Sequence, residues 1–192
     1  MLKILLIRTG ATEYESQGRV QGTLDVPLSE DGRQQVEQVA IELHNQQIDA
    51  MYAGPCRATK QSADILAEQL QLKTKTVDDL RNLNHGLWQG MLIEDVRAKQ
   101  PKVYRQWHEH PETVCPPEGE SLQEVRGRLQ QALAKIAKKQ KSGTVAVVVS
   151  EPVTSVLRNV LRDDELGNLW HVDCKQQPPW ELIELPAQVA SR

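Results

Sequence analysis

Two stretches of the chain are apolar without interruption, at 4–7 and 145–149. Such runs show no alternation because a strand buried on both faces has no polar side to present, so 2–7 and 144–149 are expected as central strands. Shorter strands are expected at 48–53, 74–77, 169–172 and 180–184. Helical spacing separates them. A helix starts at Ser29, which serves as its N-cap, and carries Val36, Val39, Ala40 and Leu43 on one face. A second, over 55–71, carries Ala63, Ile65, Leu66 and Leu70. The longest, over 121–140, carries Leu122, Val125, Leu129, Leu133 and Ile136 and ends in Lys138-Lys139, which complements the helix dipole. Another follows Pro152 through Val156, Leu157 and Leu161. Residues 11–28, punctuated by Gly18, Gly22 and Pro27, are expected as a loop. Residues 80–118 are irregular, with short helical pieces at 92–99 and 103–109 between prolines, and are expected as an insertion over one end of the sheet.

Strands alternating with amphipathic helices predict a three-layer α/β/α sandwich with a largely parallel central sheet, as one domain over 1–192. Ligands of such sheets sit beyond the carboxyl ends of the strands. Both apolar runs end there in reactive side chains, Arg8-Thr9-Gly10 and Ser150-Glu151-Pro152.

Composition narrows the function classes. The chain has 192 residues, 39% hydrophobic and 26% charged, which excludes wholesale disorder. A net charge of −3 gives no footprint for bulk nucleic-acid binding. No apolar run approaches the length of a membrane span, and the segment at 4–7 is too short for a signal sequence. Cys56, Cys115 and Cys174 are scattered and odd in number, which fits a reducing, cytoplasmic setting. His108-Glu109-His110 lacks the further ligands of a structural metal site, so no metal or cofactor is expected. His44 and His171 follow no strand-end arginine, and the basic run 135–141 reads as a solvated helix end. Trp88, Trp107, Trp170 and Trp180 are expected in the core or at its rim.

An ordered series of segments carries a resemblance. Leu6-Ile7-Arg8-Thr9-Gly10-Ala11-Thr12-Glu13-Tyr14 leads into Gly18-Arg19-Val20-Gln21-Gly22 and Asp25-Val26-Pro27-Leu28-Ser29-Glu30-Asp31-Gly32. Later come Leu80-Arg81-Asn82-Leu83-Asn84-His85-Gly86-Leu87-Trp88-Gln89-Gly90, Glu118-Gly119-Glu120-Ser121 and Val147-Val148-Val149-Ser150. In this order they resemble the histidine phosphatase superfamily, the phosphoglycerate-mutase-like proteins, over nearly the whole chain. The resemblance implies a phosphate pocket of two histidines and two arginines, with phosphohistidine formed at the end of the first strand and a glutamate as proton donor.

The chain departs from that pattern at the reacting positions. Thr9 stands at the nucleophile, Glu151 at the second histidine and Asn82 at the proton donor. Aligning Pro55 and Gln61-Ser62-Ala63 puts Ala58 at the second arginine, with Arg57 one residue early, so that only Arg8 is in place. Loss of a catalytic nucleophile costs about 10⁶-fold in rate. A carboxylate about 4 Å from a phosphate dianion repels it by roughly 4 kcal/mol per charge pair at an effective dielectric of 20. The reading that follows is a degenerate member without phosphohistidine chemistry, a pseudoenzyme with a binding or regulatory role. Its partner would be a protein or a small anionic ligand at Arg8, Gln21, Gly22 and Arg57, with no catalytic residues and no nucleic acid or membrane. The alternative is an active phosphatase or phosphomutase for a small phosphoester, its site rebuilt from Thr9, Glu151 and Arg57. A hydrolase using Glu151 as base has no motif beyond the carboxylate itself. Arg8 is either a surviving anion ligand or an arginine compensated by Glu151, and a salt bridge between the two is expected.

Overall fold

The computed structural model describes residues 1–170 and 178–184. Five strands form one sheet in the order β3-β2-β4-β1-β5. They are β1 (Leu2–Arg8), β2 (Ala50–Ala53), β3 (Thr74–Thr76), β4 (Gly143–Val149) and β5 (Trp180–Glu184). All neighbouring pairs are parallel except β1 with β5. Among the described residues seven α-helices accompany them: α1 (Glu13–Ser16), α2 (Glu30–Leu43), α3 (Arg57–Leu70), α4 (Ile93–Lys99), α5 (Pro101–Glu109), α6 (Leu122–Lys139) and α7 (Val153–Arg162). None is long and apolar enough to cross a membrane.

The two apolar runs occupy the middle of the sheet because each strand there feeds both faces. Leu2, Ile4 and Leu6 of β1 join Val145, Val147 and Val149 of β4 in one core with α6 and α7. Leu5 and Ile7 join Ala146 and Val148 in the other, against α2 and α3. Fully burying one such side chain is worth about 1.5–3 kcal/mol, which is why these positions tolerate no polar residue. Trp88, Ile93, Val96 and Trp107, from the irregular segment after β3, pack into the first of these cores.

Local signals set the helix starts. Ser29 Oγ accepts the Gly32 N–H at 3.0 Å, and Ser121 and Glu124 form a reciprocal capping box on α6. The stretch expected as loop at 11–28 holds the one-turn helix α1, fixed by a second capping box between Thr12 and Glu15. A four-residue helix has no apolar periodicity, so hydrophobic spacing does not reveal it. The second helix starts at Arg57 instead of Pro55. Leu169 and Trp170, expected in a strand, lie in a bend; the rest of that strand, with His171, falls outside the described residues, as does Cys174.

The loop after β1 and the first turn of α2 approach closely. A Cβ on Gly32 would stand 2.0 Å from the Ala11 carbonyl oxygen, and one on Gly10 would stand 2.1 Å from that of Gly32. Both obstacles are backbone and cannot rotate away. Gly32→Ala is therefore expected to destabilise the fold by about 1–3 kcal/mol, despite a helix-propensity gain of about 1 kcal/mol. Thermal and denaturant unfolding measure the sum; an unchanged or raised midpoint contradicts this packing.

Candidate functional site

The pairing of β1 with β4 ends at Arg8 opposite Val149, and Thr9 N–H donates to the Val149 carbonyl at 3.0 Å. The register therefore delivers Thr9 and Ser150, with Arg8 and Glu151 flanking them, side by side at the carboxyl edge. The first turn of α3 closes beneath. Thr59 and Ser150 hydroxyls are 2.9 Å apart, and Ser62 Oγ accepts the Gly10 N–H at 3.2 Å while donating to the Ala58 carbonyl at 2.9 Å. Ala58 is fully buried there. Arg57 is exposed on the same turn, its N–H donating to Asp25 Oδ1 at 3.1 Å.

Asn82 joins three loops. Its Nδ2 donates to the Gly22 and Glu151 carbonyls, both at 3.0 Å, and its Oδ1 accepts the Leu83 N–H at 2.9 Å. Its own segment is held by Arg128 of α6. That guanidinium grips Glu120 through Nε at 2.6 Å and Nη2 at 2.9 Å, and also donates to the carbonyls of Asp79 and Arg81 at 2.8 Å and of Asn82 at 3.2 Å. Both partners are buried; removing Glu120 leaves the Arg128 guanidinium without its counter-charge, a loss of about 3–5 kcal/mol, whereas removing Arg128 still leaves Glu120 with Arg81 at 3.2 Å.

Above these loops lies a cavity of about 620 Å³. Gln21 and Gly22 line it, Gln21 Oε1 accepting from Thr12 Oγ1 at 2.6 Å. Among the described residues its charged wall side chains are Glu13, Glu15, Glu30, Asp31 and Glu151 against Arg19. Desolvation raises the Glu151 carboxyl pKa, opposed by hydrogen bonds from Ser155 and by the charges of Arg8 and Arg158. Glu15 is also raised, by desolvation first and by the Glu151 charge, against the Thr12 N–H and Arg8. Glu15 is exposed as a residue, and its Oε2 accepts the Thr12 N–H at 2.8 Å. His85 forms part of the inner wall. Burial drives its pKa down to about 4, the Leu83 backbone and the Glu120 charge opposing. Its Nδ1 is sealed from solvent with no hydrogen-bond partner, and its ring meets Trp107 edge-on at 5.8 Å. Trp170 completes that wall, stacked on Tyr104 at 5.2 Å.

The structure thus brings Thr9, Asn82, Ala58, Arg8 and Glu151 to one edge of the sheet and puts Gln21 and Gly22 in the cavity wall, while Arg57 faces solvent outside it. The expected Arg8–Glu151 salt bridge is not formed as a hydrogen-bonded pair. Glu151 Oε2 accepts from Ser155 N at 3.2 Å and Oγ at 3.0 Å, and Oε1 accepts from no group. Ser155 sits one turn along α7 and captures the carboxylate, leaving Arg8 to act on it through space. The sequence reading missed Glu15 and the Arg128–Glu120 pair. Arg128 did leave a trace, as a charge set among Val125, Leu129 and Ala132 on the apolar face of α6. Cys56 and Cys115 are free thiols.

Comparison with known proteins agrees with this architecture. The sequence signature of the histidine phosphatase superfamily (branch 1) matches residues 4–185. Phosphoserine phosphatase 1 of Hydrogenobacter thermophilus is 34% identical over 174 residues, spanning 91% of this chain and 82% of that protein. The native structure of a mycobacterial glucosyl-3-phosphoglycerate phosphatase superposes with a TM-score of 0.78 at 26% identity, covering 88% of this chain and 82% of the other. Bacillus stearothermophilus YhfR reaches 0.84 at 23% identity over 97% and 93%, a likeness that bears on the fold alone.

The buried imidazole gives a pH test. Unfolded, His85 takes up a proton below about 6.5; folded, it stays neutral down to about 4. Between these values the unfolded state holds more protons, so the stability contributed by neutral His85 falls as the pH falls, by up to about 3 kcal/mol. Glu15 and Glu151, with raised folded values, act in the opposite sense above the ordinary carboxylate range. The difference between the chain and His85→Gln therefore isolates the imidazole. That difference is expected to shrink steadily on acidification in chemical denaturation; a pH-independent difference contradicts a buried neutral imidazole.

Proposed function

The chain belongs to the histidine phosphatase superfamily, branch 1, and within it we propose that this cleft serves binding or regulation without phosphohistidine chemistry. The observation that carries this reading is the Glu151 carboxylate, held by Ser155 at the end of β4 where the family pattern calls for a histidine. Phosphoryl transfer in the family pattern needs a neutral imidazole at the Thr9 position. A threonine hydroxyl is a weak nucleophile unless a base takes its proton, and Glu151 directs Oε2 to Ser155 instead. The Asn82 amide has no proton to give a leaving alkoxide, and both its ends are engaged in holding loops. That absence forfeits roughly 10²–10⁴ in rate.

A second reading draws support from the relatives. Proteins similar to this chain are named as phosphatases, for phosphoserine and for glucosyl-3-phosphoglycerate. They favour an active phosphatase acting on a small phosphoester, in which Thr9 and Glu151 would form a rebuilt nucleophile–base pair beside Arg8. This reading requires the Glu151 carboxylate to leave Ser155 and turn to Thr9.

Hydrolysis of an aryl phosphate separates the two. The binding reading expects no turnover that Thr9→Ala abolishes, from acid to alkaline pH. Turnover lost in that variant, or a phosphorylated protein trapped on rapid quenching, establishes the phosphatase. The double variant Thr9→His, Glu151→His is expected to gain affinity for inorganic phosphate but to stay far below a competent phosphatase, because Asn82 and Ala58 are unchanged. Rapid turnover by that variant would show that neither of those two positions limits catalysis.

A further inference from the structure

Ser155 interrupts a regular series at the start of α7. On either side of it, the Thr154 N–H donates to the Ser150 carbonyl and the Val156 N–H to the Pro152 carbonyl, both at 3.1 Å. The matching acceptor for Ser155 is the Glu151 carbonyl, and that carbonyl takes Asn82 Nδ2 at 3.0 Å. Ser155 gives both its donors to the Glu151 side chain instead, N–H at 3.2 Å and hydroxyl at 3.0 Å, converging on Oε2. N–H groups at a helix start lack partners within the helix, and a carboxylate there also meets the positive end of the dipole. Glu151 is thus tied down by one oxygen, while Oε1 is sealed from solvent with no hydrogen-bond partner. Among the described residues, the charges acting on this carboxyl group are Arg8 of β1, Arg158 of α7 and Glu15 of α1. Burial favours the neutral acid; the Ser155 hydroxyl and N–H and the two arginines favour the carboxylate. Of these opposing groups, the hydroxyl alone can be removed without altering a charge or the backbone.

We propose that Ser155 is the positioning residue of this cleft: its hydroxyl holds the Glu151 carboxylate onto α7, and a small anion is admitted at the strand ends only as that carboxylate takes up a proton. This deepens, and rests on, the binding reading of the same cleft. While ionised, Glu151 repels an anion arriving beside Arg8 and Thr9. Protonated, it removes that repulsion and presents an O–H that can donate to the anion. The proton comes from solvent and stays on Glu151, so anion and proton bind together. Ser155 sets the pH at which they do, because it stabilises the form that must be given up. A purely structural cap on α7 would add stability without linking anion affinity to pH.

Calorimetric titration of the full chain with inorganic sulfate, whose own charge is constant from mildly acid to alkaline pH, tests this. Sulfate is expected to bind more tightly as the pH falls, with protons taken up in proportion, read from buffers of different ionisation heat. Ser155→Ala keeps the N–H bond but loses the hydroxyl. It is expected to move Glu151 about tenfold towards the acid, the worth of one hydrogen bond to a charged group, and to displace the sulfate profile to higher pH. The Glu151 carboxyl carbon resonance, identified by its absence in Glu151→Gln, reports the same displacement. Ser155→Thr retains the hydroxyl and is expected to follow the parent. Ser155→Cys, a weaker donor of similar size, moves the profile in the same direction as Ser155→Ala and replaces it should that variant not fold. In a Glu151→Gln background, expected to bind sulfate most tightly, Ser155→Ala changes nothing. A sulfate profile and Glu151 resonance that Ser155 variants leave in place, affinity indifferent to Glu151→Gln, or no sulfate binding by any of these forms overturns the inference. Each of those outcomes leaves the non-catalytic reading standing, which only phosphoester turnover removes.

Discussion

The carboxylate that follows β4 is buried beside Thr9, and the character of the cleft follows from how little its neighbours, Ser155, Arg8 and Arg158, offset that burial. Arg8 is delivered by the last position of β1, and Glu151 follows β4 at a place fixed by seven consecutive parallel pairings between the strands. Glu15 arrives from the other side on α1, tied by its capping box to Thr12. None of these backbone positions can adjust to relieve the charge. The relief is local: two hydrogen bonds from Ser155 to Glu151, one from the Thr12 N–H to Glu15, and the through-space attraction of Arg8 for both and of Arg158 for Glu151. Burial outweighs all of them in both carboxyl groups, whose pKa values stay raised.

Much of the fold was legible because its signals are strong in one dimension. Strands buried on both faces, such as β1 and β4, must be apolar at every central position, and helices such as α2 and α6 carry a cap and a stripe. The parts that were not legible depend on contacts distant in sequence or on elements too short for a period. Helix α1 exists through one reciprocal cap, and β3, with no fully buried side chain, joins the sheet only by pairing with β2.

Candidate residues were legible as positions but not as interactions. Arg8, Thr9, Asn82 and Glu151 do meet at one edge of the sheet, as strand-end placement requires. Opposite charges on neighbouring strands suggested an ion pair between Arg8 and Glu151, yet Ser155, four residues along the chain from Glu151, takes the carboxylate first. No spacing rule separates a carboxylate that turns towards its own helix from one that crosses to the next strand. The sign of the cleft also lay beyond local reading, because Glu13, Glu15, Glu30 and Asp31 become neighbours of Glu151 only after the loop following β1 folds over the strand ends.

The grip of Arg128 on Glu120 and on three carbonyls of the single stretch 79–82 bears on how a visitor is received. The arginine anchors the segment that carries Asn82, and Asn82 in turn tethers the turns bearing Gly22 and Glu151. The floor of the binding site is accordingly assembled before any guest arrives. Recognition then needs little rearrangement of the host, so discrimination among guests rests on their shape and polarity at first encounter, in the manner of a rigid mould and not of a closing hand.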